Sequence, residues 1–123
     1  MTPEPEPRTV PFDQQAWEVE AAGIRSRARD VAGNRWAIVE YARGARRDEW
    51  CTDGHRGLVL DGHIRYDFDD GTPPLEAAGG QAFLLPQDQG HRGTNVADGP
   101  TRLFLIDGPT SPAHDVDPAL DRE

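Results

Sequence analysis

The chain has 123 residues and a formal net charge of -9, with 22 acidic and 13 basic residues. This length accommodates one domain with one hydrophobic core. The acidic balance argues against a nucleic-acid partner, because phosphate contacts need a clustered positive face. All 13 basic residues are Arg, so chemistry that requires a Lys amine, such as Schiff-base formation, is excluded.

The first segment, residues 1–16, begins with MTPEPEPRT, in which Pro alternates with Glu. Such a sequence buries too little apolar surface to offset the entropy of ordering it, so we expect a mobile or lightly docked arm. As an alternative, residues 12–22 could form one short helix with Asp13 as its cap, although their apolar residues do not follow helical spacing well. The chain lacks both a long apolar run and the pattern of a signal peptide, so we expect a cytoplasmic protein without a membrane partner.

Residues 17–107 are predicted to form the folded domain, because short apolar runs alternate with turn sequences such as TDG, DDGTPP and PQDQG. In the run 63–68, Ile64, Tyr66 and Phe68 share one face of a strand. The pattern is typical of an all-β sandwich or barrel. The other runs of strand type are 36–42, 57–60, 81–85 and 102–106.

The last segment, residues 108–123, is an acidic tail that contains Pro and His114. We expect residues 1–9 and 111–123 to be dispensable for folding, because both stretches offer little apolar area to bury. His114 is expected to lie outside any site. His63 follows a predicted turn at Asp61 and Gly62, and we expect it to be exposed.

The sequence of residues 80–95 predicts a tight hairpin. The apolar run 81–85 should end as a strand at Pro86, which has no N–H to donate to a sheet. Asp88 and the glycines that follow it supply turn residues, so the chain can resume pairing near His91. The spacing Gly-x5-Pro-x-Asp-x-x-His-x3-Asn resembles the second motif of the cupin superfamily, in which a Gly usually stands at the position of Asp88.

A second group of chemically capable side chains lies in DEWCTDGHRGLVLDG, residues 48–62. Glu49 and Cys51 are two positions apart, so on a strand both side chains point to the same face. The spacing Glu49-x-Cys51-x3-His55-x6-Gly62 resembles the first cupin motif with permuted residue types. The stretch WCTDGHRG is also similar to a Trp-Cys-x-x-Gly-His-x-Gly sequence of small single-domain cupins. The resemblance covers about residues 36–107.

The resemblance implies a double-stranded β-helix, the jelly-roll barrel of cupins, with a metal site inside one end. It implies four metal ligands: Glu49, Cys51, His55 and His91. A thiolate among carboxylate and imidazole ligands favours Zn as the divalent transition metal, with Fe(II) as the nearest competitor. Small cupins are commonly dimers, so a homodimer is expected.

Other interpretations of the same residues stay open. Cys51 is the single cysteine, and it is a core thiol, a reactive thiol or a metal ligand. Glu49 is a ligand or a solvated charge paired with Arg46 or Arg47. Asn95 is expected to fix the returning strand rather than to contact a substrate. The aromatic residues of the strands either belong to the core or line a pocket; they are Trp36, Tyr41, Phe83 and Phe104.

The resemblance suggests a metal-dependent enzyme that acts on a small polar organic molecule in the barrel, of the oxygenase, isomerase or lyase class. The same fold carries proteins without catalytic activity, so a small-molecule binding or sensing module is the alternative. An open coordination position would favour the enzyme, whereas a closed site with four protein ligands would favour structure or sensing.

Overall fold

The computed structural model describes residues 6–107, in which strands are by far the main secondary structure. One short 3-10 helix, Phe12–Gln14, precedes nine strands: β1 (Glu18–Ala21), β2 (Ile24–Val31), β3 (Asn34–Tyr41), β4 (His55–Asp61), β5 (His63–Phe68), β6 (Leu75–Ala78), β7 (Ala82–Leu85), β8 (His91–Asn95) and β9 (Thr101–Asp107). The prediction of an all-β domain is confirmed. Within this part of the chain no helix has the length and hydropathy needed to span a membrane.

The strands form two antiparallel sheets. The larger sheet has six strands in the order β1-β2-β3-β9-β4-β7, and the smaller has three in the order β6-β5-β8. An isolated bridge between Arg46 and Thr94 and another between Cys51 and His91 connect the loop after β3 to β8. These bridges hold the long loop between β3 and β4 against the smaller sheet, at the end of the molecule where the site lies.

The hydrophobic core contains alternate residues of strands from both sheets. In β5, Ile64 and Tyr66 are buried, while His63 and Arg65 on the opposite face are partly exposed. This is the alternation predicted from the sequence. The buried core cluster consists of Ile24, Ala37, Val39, Tyr41, Val59, Ile64, Tyr66, Ala77, Phe83, Leu85, Leu103 and Leu105.

The aromatic residues predicted for the strands separate into two groups. Tyr41 and Phe83 belong to the buried core. Trp36 and Phe104 alternate with core residues on β3 and β9, and their rings pack edge to face at 5.7 Å on the outer face of the larger sheet. Trp36 and Phe104 therefore do not line the barrel interior, and only Tyr41 of the four lines the cavity described below.

The segment expected to be one short helix is different in the structure. Its 3-10 helix ends at Gln14, no side chain caps it, and the chain then enters β1. The apolar residues of this segment do not recur at helical spacing. Pairing of β1 with β2 instead provides backbone hydrogen bonds. The ring of Trp17 contacts the guanidinium groups of Arg25 and Arg27, whose central carbon atoms lie 4.1 and 4.2 Å from the ring centroid. The Phe12 ring packs against Phe104, so this part of the arm is docked on the larger sheet.

The hairpin between β7 and β8 has the features expected from its sequence. Strand β7 ends at Leu85, directly before Pro86. Asp88 adopts a φ of 70°, which is a left-handed conformation that Asp tolerates better than most residues. The Asp88 backbone N–H donates to the carbonyl of Thr52 at 2.8 Å. The turn is thereby attached to the segment that carries Cys51 and His55.

Asn95, at the end of β8, connects three segments through its buried amide. Its Nδ2 group donates to the carbonyls of Tyr41, Ala42 and Gly99 at 3.1, 3.0 and 2.9 Å. Its Oδ1 accepts from the Thr101 hydroxyl at 2.7 Å and from a backbone N–H of the following loop. Asn95 thus fixes the returning strand, as the sequence led us to expect.

Replacing Asn95 by Ala is expected to lower the free energy of unfolding by about 2 kcal/mol, because buried carbonyl groups would lose their donor. Urea denaturation of the wild type and the variant measures this difference. Gln89→Ala is the matched control, since that amide makes exposed hydrogen bonds to Asp70 and Thr72, and it should change stability by less than about 0.5 kcal/mol. Equal effects of the two variants would contradict the structural role of Asn95.

The predictions for the two ends of the chain concern residues that are only partly described. Residues 108–123, including His114, lie outside the described residues, as do residues 1–5. The predicted dispensability of the two ends for folding stays a prediction, and the contact between Phe12 and Phe104 indicates that a truncation should leave Phe12 in place.

Candidate metal centre

Three side chains that could hold a metal ion meet at one end of the barrel. They are Cys51, His55 and His91, and one donor atom of each lies within 4.8 Å of the others. The His55 and His91 rings contact each other edge to face with their centroids 4.9 Å apart. A shared ligand set requires these two histidines, which are distant in sequence, to lie close together, and the structure places them so.

Backbone pairing explains why the three side chains converge. Cys51 and His91 face each other in an isolated antiparallel bridge, in which each N–H donates to the other's carbonyl at 2.9 Å. Directly paired residues place their side chains on the same face. His55 begins β4, and its Nε2 atom lies 3.9 Å from the Cys51 Sγ atom. The loop and two strand starts therefore build one cluster.

The cluster opens into a cavity of about 800 Å³. Tyr41 and Tyr66 supply aromatic wall, and the half-buried Arg35 and Arg47 supply positive charge. Both guanidinium groups are paired with Glu20 of β1, Arg35 at 3.3 Å and Arg47 at 2.5 Å. A cavity of this size, with aromatic wall residues and many charged and polar side chains, is suited to a small polar organic molecule.

The thiol and the imidazole of His55 influence each other. Hydrogen bonding to His55 and to His91 lowers the pKa of Cys51 to about 6, although burial opposes this shift. Burial would lower the pKa of His55, but hydrogen bonds with Asp107 and Cys51 outweigh it and raise that pKa to about 9. Near neutral pH, the metal-free pair is therefore a thiolate beside an imidazolium.

Asp107 is the site residue that the sequence did not reveal. Its Oδ1 atom accepts a hydrogen bond from His55 Nδ1 at 2.6 Å, and its Oδ2 atom accepts one from Arg35 Nη1 at 3.2 Å. Burial acts to raise the pKa of Asp107, but the hydrogen bond and positive charge of His55 and the charge of Arg35 lower it. In sequence Asp107 is only the acidic residue that ends the last apolar run, so no local signal identified it.

Glu49 is placed differently from the other three predicted ligands. It is exposed and lines the same cavity, but its carboxylate is not among the atoms grouped within 4.8 Å. Arg46 and Arg47 were the neighbours considered as its ion-pair partners; Arg47 pairs with Glu20 instead, and no ion pair joins Glu49 to Arg46 among residues 6–107. The fourth ligand implied by the sequence resemblance, Glu49, is therefore outside the cluster that the structure forms, and the mutation described below tests its role.

The chemistry of the donor set fits a transition metal. One thiolate and two imidazoles suit Zn, and three protein ligands are the usual number in a catalytic zinc site. His91 is only 3% exposed, and its Nδ1 atom has no hydrogen-bond partner among residues 6–107. A buried polar atom without a partner is uncommon in a folded protein. The residues present therefore fit the metal implied by the sequence resemblance, without identifying which metal it is.

In the metal-free protein, Cys51 is expected to deprotonate with a midpoint near pH 6, because its pKa is lowered to about 6. Ultraviolet absorbance of the thiolate, followed as the pH rises, measures this midpoint. His55→Ala should raise the midpoint, since hydrogen bonding to His55 is the largest cause of the lowered pKa. His63→Ala, in a histidine paired with Glu76 on the outer face, should leave it unchanged. A midpoint above about 8, the range of an ordinary thiol, would contradict the geometry of the pair.

Comparison with known proteins gives structural matches only. No model of a known protein family matches the sequence, and no curated protein sequence does. The polyketide cyclase RemF from Streptomyces resistomycificus superposes with a TM-score of 0.71 at 16% identity, over 86% of this chain and 81% of that chain. A sugar phosphate isomerase from the cupin superfamily, from Silicibacter pomeroyi, has a TM-score of 0.66 at 16% identity, over 84% and 76% of the two chains.

A third similar structure is an RmlC-like cupin from Shewanella frigidimarina, with a TM-score of 0.64 at 12% identity, over 85% of this chain and 94% of that chain. At identities this low, structural similarity establishes a shared fold and not a shared activity. The activity of the chain has to be argued from its own residues.

Proposed function

Because the chain has the cupin jelly-roll fold, we propose that it is a metal-dependent enzyme for a small polar organic molecule, with the metal held by Cys51, His55 and His91. The observation that carries this proposal is the convergence of these three donor atoms within 4.8 Å at the wall of a cavity. Zn is the metal that the donor set favours, and Fe(II) is the competitor.

A bound divalent metal would supply Lewis acidity and a fixed position for substrate oxygen atoms. The residues of the chain have their own roles around it. Tyr41 and Tyr66 form the aromatic wall against which an organic substrate packs, and their burial raises the pKa of each, so both hydroxyl groups stay protonated and can donate hydrogen bonds. Arg47 donates to the Tyr41 hydroxyl at 3.3 Å and keeps the ring in place.

Two of the similar structures support the substrate class. One is named a polyketide cyclase and another a sugar phosphate isomerase, and both names describe enzymes of small organic molecules. We propose the same broad class for this chain, in the range of isomerase, lyase or oxygenase reactions.

A non-catalytic binding or sensing protein is the second candidate, and Glu49 distinguishes the two. If the Glu49 carboxylate completed the coordination, four protein ligands would close the site, as in structural zinc sites. If Glu49 stays exposed in the cavity, a coordination position is available for a substrate. The exposure of Glu49 in the structure favours the enzyme.

Glu49→Gln is therefore expected to change zinc affinity by less than about threefold, because an exposed carboxylate outside the donor cluster contributes little to holding the metal. Competition with a chelator measures the affinity, and Asp53→Asn, in another acidic residue of the cavity lining, is the matched control. A loss of more than about tenfold in Glu49→Gln alone would favour the closed site.

The direct test of the proposed function has two parts. Elemental analysis of the reduced, untagged protein should find about one transition metal ion per chain. Screening of the metal-loaded protein against sugars, sugar phosphates and polyketide-like aromatic compounds should then find a compound that binds and is converted. Absence of metal uptake from Zn, Fe(II), Ni and Mn would overturn the proposal.

A further inference from the structure

Asp107 and Arg35 form a hydrogen-bonded chain behind His55. The carboxylate uses separate oxygen atoms for its two partners, Oδ1 for His55 Nδ1 and Oδ2 for Arg35 Nη1. Arg35 in turn is held by Glu20 through its other terminal nitrogen at 3.3 Å. The carboxylate is therefore fixed from the side opposite to the imidazole.

The position of Asp107 follows from strand register. His55 and Asp107 are directly paired residues of β4 and β9, and Arg35 on β3 is the partner of the same Asp107 on its other side. Three adjacent strands of the larger sheet thus present imidazole, carboxylate and guanidinium in one row, with side chains on the barrel side.

We propose that Asp107, held by Arg35, is a positioning residue that fixes the ring orientation of His55 and keeps a proton on its Nδ1 atom. The inference rests on the proposed metal site. A carboxylate is only an acceptor when ionised, so the nitrogen that faces it must carry the hydrogen. The lone pair of neutral His55 then lies on Nε2, the atom that faces Cys51 at 3.9 Å.

The consequence is that the donor atom of His55 is selected in advance: when the ring becomes neutral, the proton leaves Nε2, and Nδ1 keeps the proton that it donates to Asp107. An imidazole free to exchange its tautomers, or to turn its ring, would present the correct lone pair only part of the time. A carboxylate behind a ligating imidazole fixes tautomer and orientation and increases ligand basicity, and losing such a partner typically costs about 10-fold to 100-fold in metal affinity. Asp107 acts through His55 and does not itself hold the metal.

Asp107→Asn is the informative variant because it keeps the size of the side chain. It replaces a carboxylate, which can only accept hydrogen bonds, by an amide, which can also donate them. We expect zinc affinity, measured by competition with a chelator, to fall about 10-fold to 100-fold. Arg35→Gln should weaken zinc binding less, by roughly threefold, because the bond between His55 and Asp107 remains. Glu76→Gln is the matched control: it alters a histidine–carboxylate contact of 2.7 Å, to His63, outside the cavity, and it should leave affinity unchanged.

Proton NMR gives a readout that does not depend on metal. A hydrogen-bonded imidazole N–H on a largely buried side chain should give a far-downfield resonance in the metal-free wild type, assigned through its loss in His55→Gln. It should persist in Glu76→Gln and disappear or move strongly in Asp107→Asn. Should Asp107→Asn fail to fold, Asp107→Ala removes the side-chain acceptor altogether, and the wild-type resonance stands as evidence on its own.

The outcomes separate this inference from the proposed function. If no protein binds zinc but the resonance behaves as described, the positioning is correct and the metal site is wrong. If the wild type binds zinc and Asp107→Asn binds it equally while retaining the resonance, the metal site stands and the positioning role is overturned. Equal losses of affinity in Asp107→Asn and Glu76→Gln would also overturn it, since they would indicate a general loss of charge.

Discussion

His91→Ala should weaken zinc binding at least about 100-fold, which corresponds to roughly 3 kcal/mol of binding free energy. His91 is one of only three side chains whose donor atoms converge within 4.8 Å in the described part of the chain. Losing it leaves one thiolate and one imidazole, and two ligands do not define the tetrahedral arrangement that zinc prefers. Titration of chelator-treated protein with zinc, in the presence of a competing chelator, measures the loss.

Two controls make this result specific. His63→Ala removes a histidine from the outer face of β5, where it pairs with Glu76, and should bind zinc as the wild type does. Cys51→Ser should keep the fold while shifting preference from zinc toward harder ions such as Mn, because a hydroxyl replaces a soft thiolate. Thermal unfolding of each metal-free variant shows whether the domain is intact. If the wild type, His91→Ala and Cys51→Ser all bound zinc equally weakly, the chain would be better described as a protein with a ligand pocket and no metal site.

The second large effect is expected at Gly62, the turn between β4 and β5. Gly62 has a φ of 99°, and a Cβ atom there would lie 2.2 Å from Thr101 Oγ1 and 2.7 Å from the Thr101 Cα atom. Because the obstructing atoms include backbone of a central strand, the neighbour cannot move aside without disturbing β9. Thr101 also donates its hydroxyl hydrogen to Asn95, so a displacement would weaken that buried network.

Gly62→Ala is expected to lower the free energy of unfolding by about 3 to 4 kcal/mol, combining backbone strain of about 1 to 2 kcal/mol with overpacking of about 1 to 3 kcal/mol. Gly80→Ala is the matched control. Gly80 has a similar φ of 91°, but nothing lies within 4 Å of a Cβ built there, so only the strain should remain. Urea denaturation of both variants measures the difference. Equal effects would mean that the contact with Thr101 relaxes at no cost.

The predictions for His91 and Gly62 concern residues of the two motifs identified in the sequence. Gly62 closes the first motif and Gly80 opens the second, and their positive φ values show that both are turn residues. His91 and Asn95 belong to the second motif but serve separate purposes. His91 enters the cavity, whereas Asn95 bonds to the backbone of the chain around it. The second motif therefore combines residues that build a hairpin with one residue, His91, that belongs to the cluster of possible metal ligands.

The sequence by itself determined six of the nine strands, β3, β4, β5, β7, β8 and β9, because their apolar runs and turn residues are local properties; β1, β2 and β6 were not predicted. Alternation identified the buried face of β5, and Pro86, which cannot donate to a sheet, marked the end of β7. The resemblance of the motif spacing to that of cupins also singled out His55 and His91, and both residues begin a strand in the structure. The helix expected in residues 12–22 was wrong, because pairing of β1 with β2 outweighed a weak helical signal.

Only the tertiary structure decided which side chains complete the site. Asp107 reaches His55 because β9 lies between β3 and β4 in the sheet, and a strand order that brings distant segments together has no local signature. Glu49 and Cys51 are two positions apart, which predicts that both side chains point to the same face. In the structure, backbone pairing with His91 directs Cys51 into the cluster, whereas Glu49 stays exposed. Residue types follow from the sequence, but the distances between donor atoms follow from register and sheet order, which the whole chain sets together.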